Sequence, residues 1–407
     1  MQKFLDWWQR GLIVALGLSI ALLGIGRVEF FGSGGSVSAW SISRTTFFFW
    51  LVWKALVLFH GGLAQAELGR LKPLVLLYVF YFAVTVSLLP DFHAAGDYRY
   101  FFFGCAHAVM LVDVFSPAPQ RRWLLPVLGV LPIILVVRGL AYDPLILKFD
   151  LAHRFADPLD HPNTAGYLFA MSLPLCVAVG LAKSAWWRGL SWPSCASQAF
   201  ALILTFSRGA WLGAASAMLY LAVALKHWQA AAALVLLASS ALLFPSIQHR
   251  LATITHPQTD PSLTERWQLA TSALRLGIEH PILGVGYGRG RLKESLRPRL
   301  QGTALKDRPI WHTHNVYVEL FAETGTIGLL TFLWLIGQTL LRLWRSSLRR
   351  DGSEQLLGFG LAAAWVAAVV TALGDVPFYH HDTRIFFFTL FALAHLYDSR
   401  DAGETAL

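Results

Sequence analysis

The chain has 407 residues, of which 56% are hydrophobic, 14% aromatic and only 14% charged, and its mean hydropathy is +0.52. A soluble domain carries about 25% charged residues, so this chain cannot dress a water-facing surface around its apolar content, and a soluble enzyme or a disordered chain is excluded. The apolar stretches are long and continuous rather than alternating, which selects a helix bundle over an outer-membrane barrel; the expected fold class is an all-α integral membrane protein. The net charge of +9 is then a topology signal before it is anything else, and no nucleic-acid partner is expected.

In chain order, twelve apolar spans are predicted, at about 11–26, 46–63, 73–89, 98–116, 122–140, 165–182, 190–206, 209–226, 228–245, 326–344, 356–374 and 384–398, each near the roughly 20 residues that cross a bilayer as a helix. Lys3 and Arg10 precede the first, and no small-residue cleavage site precedes Arg27, so that run reads as a retained span. Lys54, inside the second, reads as a paired bundle residue. Cys105, Cys176 and Cys195 lie in apolar stretches at wide spacing and form no CxxC or disulfide pattern. With the N-terminus cytoplasmic, 14 Lys and Arg fall in cytoplasmic segments and 8 in the short external ones. Both termini are therefore expected inside, in a single polytopic domain over 1–407.

Between spans 9 and 10 a long loop, 246–313, is expected outside. It carries ten basic and five acidic residues, a balance suited to anionic partners such as phosphates, or to anionic lipid headgroups. Ser262 opens a Ser-Leu-Thr-Glu265 capping box. Leu263, Trp267, Ala270, Leu274 and Ile278 then recur at helical spacing, predicting an amphipathic helix in the membrane interface. Pro281 ends it and a Gly-rich turn segment follows.

The unusual residues collect at external span ends. Arg208, in Ser207-Arg208-Gly209, is pinned between spans 7 and 8, as an anion-binding group or as a snorkelling anchor. His312-Thr313-His314-Asn315 precedes a helix with Glu319 and Glu323 on one face, carboxylates placed to orient an imidazole. Arg154 and Asp160-His161-Pro162-Asn163 approach span 6, with Asn163 or Thr164 as a helix cap. Asp375, His380-His381-Asp382 and Arg384 lie between spans 11 and 12. No P-loop, GxGxxG, HExxH or CxxC motif is present, and two His at i, i+2 do not share a helix face, so neither a cofactor nor a metal is expected.

Arg208-Gly-Ala-Trp-Leu212 matches an Arg-x-x-x-Leu motif, and His314-Asn315, nine residues, then Gly325-Thr-Ile-Gly328 matches His-[Asn/Ser/Gln]-x9-Gly-x-x-[Gly/Thr/Tyr]. In these motifs, in Glu265-Arg266-Trp267 through Gly284-Val-Gly286, and in Arg154 with Pro162-Asn163, the chain resembles the bacterial O-antigen ligases, relatives of the O-antigen polymerases. The resemblance covers roughly 150–345 and implies a GT-C-like glycosyltransferase architecture. It also implies a metal-independent transfer of O-antigen polysaccharide from undecaprenyl diphosphate to a hydroxyl of lipid A–core, at the periplasmic face of a Gram-negative inner membrane.

The roles that follow are His314 as base and Arg208 and Arg266 as donor-diphosphate ligands. Asn315, Glu319, Arg154, His161, Asn163, Asp382 and Arg384 are expected in support or on the acceptor side. An O-antigen polymerase, a protein O-oligosaccharyltransferase, and a flippase for lipid-linked glycan stand as alternatives. Charges gathered at one membrane face rather than at the midplane weigh against the last.

Overall fold

The computed structural model describes residues 2–25, 28–29, 36–61, 95–116, 119–156, 159, 161–182, 185–226, 245–255, 260–303 and 305–398. Among them the chain order is α1 (Gln2–Ile25), β1 (Val28–Glu29) paired antiparallel with β2 (Ser36–Val37), α2 (Ala39–Gly61), α3 (Ala95–Phe115), α4 (Arg121–Val130), α5 (Pro132–Tyr142), α6 (Pro162–Leu181), α7 (Ala185–Leu204), α8 (Arg208–Leu225), α9 (Pro245–Thr255), α10 (Pro261–Glu279), α11 (Arg289–Leu296), α12 (Val316–Leu348), α13 (Gly352–Thr371) and α14 (His381–Asp398). Apart from the two-residue strand pair, the fold is all-helical, as the composition requires.

Among the described residues, five helical stretches are long and apolar enough to cross a membrane: Arg122–Tyr142, Pro162–Leu181, Arg208–Leu225, Val316–Leu348 and Gly352–Thr371. The first joins α4 and α5 across Leu131, whose N–H still reaches Val127 O at 2.9 Å. The chain is a multi-pass membrane protein. The expected spans at 73–89 and 228–245 fall, but for Pro245, outside the described residues.

α13 is the axis of the bundle and packs on α6, α8, α12 and α14. It is apolar all round, from Leu357 to Ala368, and buried nearly all round, as a helix without a polar face must be. Small residues set the close approaches. A Cβ on Gly213 of α8 would lie 2.4 Å from Thr371 Cγ2, and one on Gly360 would lie 2.3 Å from Ala178 Cβ; this is how membrane helices gain dispersion contact without a hydrophobic driving force. Two polar groups inside the bundle, Lys54 and His107, are paired. Lys54 bonds Asp113, which also accepts from Trp50 Nε1 at 2.9 Å. His107 lies between Ser43 and Thr389, at 2.8 and 3.0 Å, so three helices share one polar chain. The expectation of a paired Lys54 is met.

The 260–310 segment carries its own small core. Leu269, Ala273 and Leu276 of α10 pack with Leu292 and Leu296 of α11 and with Ala322 of α12. The apolar stripe expected to lie in the membrane interface, Leu263 to Ile278, is on the other side of the helix: Trp267 is 72% and Ile278 62% exposed. α10 is thus apolar on two faces, and one of them has no protein cover. Its cap also differs from the expected Ser262 box. Asp260 is the N-cap and accepts from Ser262 N at 2.9 Å.

What fastens this unit to the bundle is a break in α12. Gly325 has φ +65 and ψ −167, which interrupts the helical hydrogen bonds around it. The loop after α10 supplies the missing partners. Val285 N donates to Ala322 O at 2.9 Å, Gly286 N to Glu323 O at 2.8 Å, and Thr326 N to Pro281 O at 2.7 Å. A Cβ on Gly325 would lie 2.2 Å from Ile282 O, and one on Gly284, also at positive φ, 2.4 Å from Glu323 C. Both positions need glycine for space and for backbone. Gly325→Ala is therefore expected to destabilise the purified protein, read as a fall in Tm, by more than the roughly 1–3 kcal/mol that this backbone conformation alone costs a non-glycine residue. Gly337→Ala, on the same helix with open space around it, is expected to be neutral or slightly stabilising. Equal melting of the two variants would contradict the kink as the fastening point.

Candidate active site

The cluster is built from helix ends. Phe206, at φ +49, reverses the chain between α7 and α8, so Ser207 caps α8 and Arg208 is its first residue. Arg208 Nη1 donates to Asp260 Oδ2 at 2.9 Å, and Arg250 Nη1 donates to the same oxygen at 3.2 Å. Asp260 also caps α10, so one carboxylate fixes two guanidiniums and the start of the loop helix. Burial raises its pKa, but the Arg208 charge and the Ser262 N–H outweigh that and hold it below the usual carboxylate value. Neither Asp260 nor Arg250 stands out in the sequence, where they are two of many loop charges. The only local signal is Asp-Pro before a helical pattern.

The segment 312–316 is held against the C-terminal end of α13. Asn315 Oδ1 accepts from Tyr317 N and Val318 N at 3.0 Å each, capping α12, while its Nδ2 donates to Leu373 O at 3.0 Å. Val316 N donates to Ala372 O at 3.0 Å. His314 takes a left-handed φ of +58, and its Nδ1 lies 2.9 Å from Asp375 Oδ1. Asp375, 3% exposed, also accepts from Asn163 Nδ2 at 2.6 Å, Arg266 Nη2 at 3.4 Å and Val376 N at 2.9 Å. Burial alone would raise its pKa. The hydrogen bond from His314, the Arg266 charge and a bond from Tyr167 reverse that and keep the carboxyl well below its ordinary range.

An ionised Asp375 accepts a proton-bearing Nδ1, which leaves the Nε2 lone pair of His314 free for a proton. The expectation that Glu319 and Glu323 orient this ring is corrected: the orienting carboxylate is Asp375, 61 residues downstream. Glu319 instead bonds His312 Nδ1 at 2.8 Å, and Glu323 accepts from Tyr379 Oη at 2.6 Å.

Arg208, Arg250, Arg266, Asn163, Tyr167 and His314 line one open cleft of about 810 Å³, whose other wall includes Leu263, Trp267, Ala270 and Leu274 of α10. Arg266 is set by its Nη1 bond to Gly374 O at 2.5 Å. Arg154 lies behind this wall, donating from Nε to Thr205 O at 2.8 Å and from Nη2 to Asn163 Oδ1 at 3.2 Å. Burial, then the charges of Arg250, Arg266 and Arg208, push its pKa down to about 10, so these four cations share one field. Set against Asp260 and Asp375, four guanidiniums leave an excess of two positive charges, which suits a dianionic group.

The remaining predicted residues divide. Asn163 does not cap α6; it links Arg154 to Asp375, and His161 is the cap, its Nδ1 accepting from Asn163 N at 3.1 Å. Arg384 is buried away from the cleft and holds the 377–379 turn through Phe378 O at 2.6 Å and Tyr379 O at 2.8 Å. Asp382 opens α14 and does not line the cleft. Among the described residues, no group of three or more His, Cys, Asp or Glu is placed to hold a metal ion.

A depressed folded pKa stabilises above the unfolded carboxyl value, about 3.9, and the gain is lost as pH falls toward the folded value. The Tm difference between wild type and Asp375→Asn is therefore expected to be full at pH 6 and to shrink from pH 4 to pH 3. A difference that grew on acidification would contradict an ionised Asp375.

The chain was compared with known proteins. Residues 193–333 match the family model described as O-antigen ligase, and no curated protein matches. The matched region begins in α7 and ends in α12. It contains Arg208, Asp260, Arg266, His314 and the Gly325 kink, whereas Arg154, Asn163 and Asp375 lie outside it. Over residues 193–333, about a third of the chain, the sequence is similar to the O-antigen ligase family.

Proposed function

We propose that the protein transfers O-antigen polysaccharide from undecaprenyl diphosphate to a hydroxyl of the lipid A–core oligosaccharide, at the periplasmic face of the inner membrane. The observation that carries this reading is the cleft in which the His314–Asp375 pair stands with Arg208, Arg250 and Arg266. The acceptor oxygen attacks the anomeric carbon as His314 Nε2 takes its proton. The C1–O bond to the diphosphate breaks, and its electron pair leaves with undecaprenyl diphosphate. One displacement inverts the anomeric centre. Arginine forks stabilise the charge that develops on the leaving group. The donor is already activated, so the reaction needs neither nucleotide nor metal.

The membrane setting supports the same reading. The cluster lies where α6, α8, α12 and α14 begin and α7 and α13 end. Arg342, Arg345, Arg349 and Arg350 lie at the other end of α12. By the positive-inside rule this charge distribution supports a cytoplasmic location for that other end, and with it the proposed periplasmic cleft in a twelve-span chain with both termini inside. Loop 246–313 then lies outside the membrane. The uncovered apolar stripe of α10, with Trp267 and Leu274 on the cleft wall, offers a lipid-compatible surface next to the arginines, as a polyprenyl donor requires.

His314→Ala is expected to abolish transfer while donor binding persists, and Asp375→Asn to lower kcat by about 10²–10⁴-fold. Near-full activity of His314→Ala in purified enzyme would remove the base. In a deletion strain, lipopolysaccharide electrophoresis should show a lost ladder with polymer still on the lipid carrier. A single capped repeat unit would instead indicate a polymerase, loss of both a flippase, and an intact ladder with an unglycosylated protein an oligosaccharyltransferase.

Charge-assisted contacts contribute about 1.5–3 kcal/mol, so Arg208→Ala and Arg266→Ala should each lose roughly ten- to a hundredfold in donor use. Lysine should restore little, because it lacks the bidentate fork. Unchanged donor affinity and rate in both alanine variants would overturn the assignment.

A further inference from the structure

The base depends on a backbone that a histidine does not adopt freely. His314 is one of four non-glycine residues at positive φ among the described residues, and such a conformation persists only where its surroundings over-determine it. On the C-terminal side Asn315 and Val316 are tied to Leu373 and Ala372. On the N-terminal side the tie is Glu319, whose side chain is fully buried. Glu319 Oε2 accepts from Thr313 N at 2.7 Å and from Thr313 Oγ1 at 2.9 Å, and Oε1 meets His312 Nδ1 at 2.8 Å. Three bonds thus end on the two residues directly before His314, while Glu319 itself does not line the cleft. The backbone of Glu319 closes the loop, donating to Asn315 O at 2.9 Å.

We propose that Glu319 is a positioning residue: it locks residues 312–313, fixes His314 at its left-handed turn, and so holds the imidazole on Asp375 with Nε2 toward the acceptor. The inference rests on the reading of His314 as base. Glu319 touches no reacting atom, and its work is done by hydrogen-bond acceptance rather than by charge. A glutamine can reproduce it: the amide oxygen takes both Thr313 donors, and the amide nitrogen donates to His312 once that ring switches tautomer. An alanine leaves the Thr313 N–H and His312 without their acceptor and frees the turn.

The experiment uses the full-length enzyme with lipid-linked donor and acceptor. Glu319→Ala is expected to lower kcat by about 10²-fold, the scale of an ångström misplacement of a catalytic group, with donor KM unchanged. Glu319→Gln is expected to stay within about threefold of wild type. If Glu319→Ala is not recovered folded, Glu319→Asp, one methylene too short to reach all three partners, should show the same loss of kcat. Because Glu319 acts through His314, Glu319→Ala added to Asp375→Asn should cost little beyond Asp375→Asn alone.

Three results overturn the proposal while leaving His314 as base: full kcat in Glu319→Ala, equal loss in the Gln and Ala variants, or multiplicative losses in the double variant. A merely structural residue would reduce folded yield or Tm at unchanged kcat per folded molecule, which overturns it equally. Activity in His314→Ala instead removes the base, and this proposal with it.

Discussion

One buried carboxylate, Asp375, holds the site together. Placing an ion out of water costs several kcal/mol unless partners replace its hydration, and at Asp375 those partners come from four separate parts of the chain. Asn163 reaches it from α6, Arg266 from α10, His314 from the segment before α12, and Val376 N–H from its own turn. The charge is satisfied only when all of these segments are in place. The same requirement that makes the carboxylate tolerable therefore gathers the imidazole and the guanidinium on one side of a cleft. Each partner lost leaves the buried charge less well compensated, so the bonds at Asp375 reinforce one another.

A second constraint joins the loop unit to the bundle. The break at Gly325 strips α12 of helical hydrogen bonds next to a membrane span, where unpaired backbone groups are costly. The 281–286 segment pairs with them as a short run of main-chain bonds. This fixes the depth and direction of α10, and through α10 the position of Arg266 over Gly374. Asp260 does the same at the other end of α10, between Arg208 and Arg250. The loop helix is thus held at both ends by polar contacts, and its middle rests on a small apolar core of its own.

Electrostatics then give the cleft its character. Two carboxylates order three guanidiniums, and Thr205 O and Asn163 a fourth, without neutralising them, so the site keeps net positive charge while its cations stay in fixed directions. A cleft of this kind suits a dianionic group without first having to organise its ligands, which is the condition under which the charge stabilisation proposed for the leaving group is most effective. The apolar wall from α10 beside it joins lipid-compatible and anion-compatible surface in one opening.

The sequence by itself determined the membrane class, because 56% hydrophobic residues cannot be dissolved in water, and it carried the family resemblance, because Arg208-x-x-x-Leu212 and the His314-to-Gly328 pattern are local spacings. It also marked Arg208, Arg266 and His314, which stand at helix ends where a charge or an imidazole is conspicuous. The tertiary structure alone decided their partners. Asp375 looked like one of several ionisable residues beside His380-His381-Asp382, yet it is the carboxylate that meets His314. Glu319, nearer in sequence and on an inviting helix face, meets His312 instead. Asp260 and Arg250 do not stand out among the loop charges, and the interfacial stripe from Leu263 to Ile278 gives no hint of the second apolar face, Leu269, Ala273 and Leu276, that packs on α11 and α12. The reason is common to all of these. Periodicity and spacing report which residues a helix presents together, but a hydrogen bond between positions 61 residues apart depends on which helix ends the packing of α13 brings side by side.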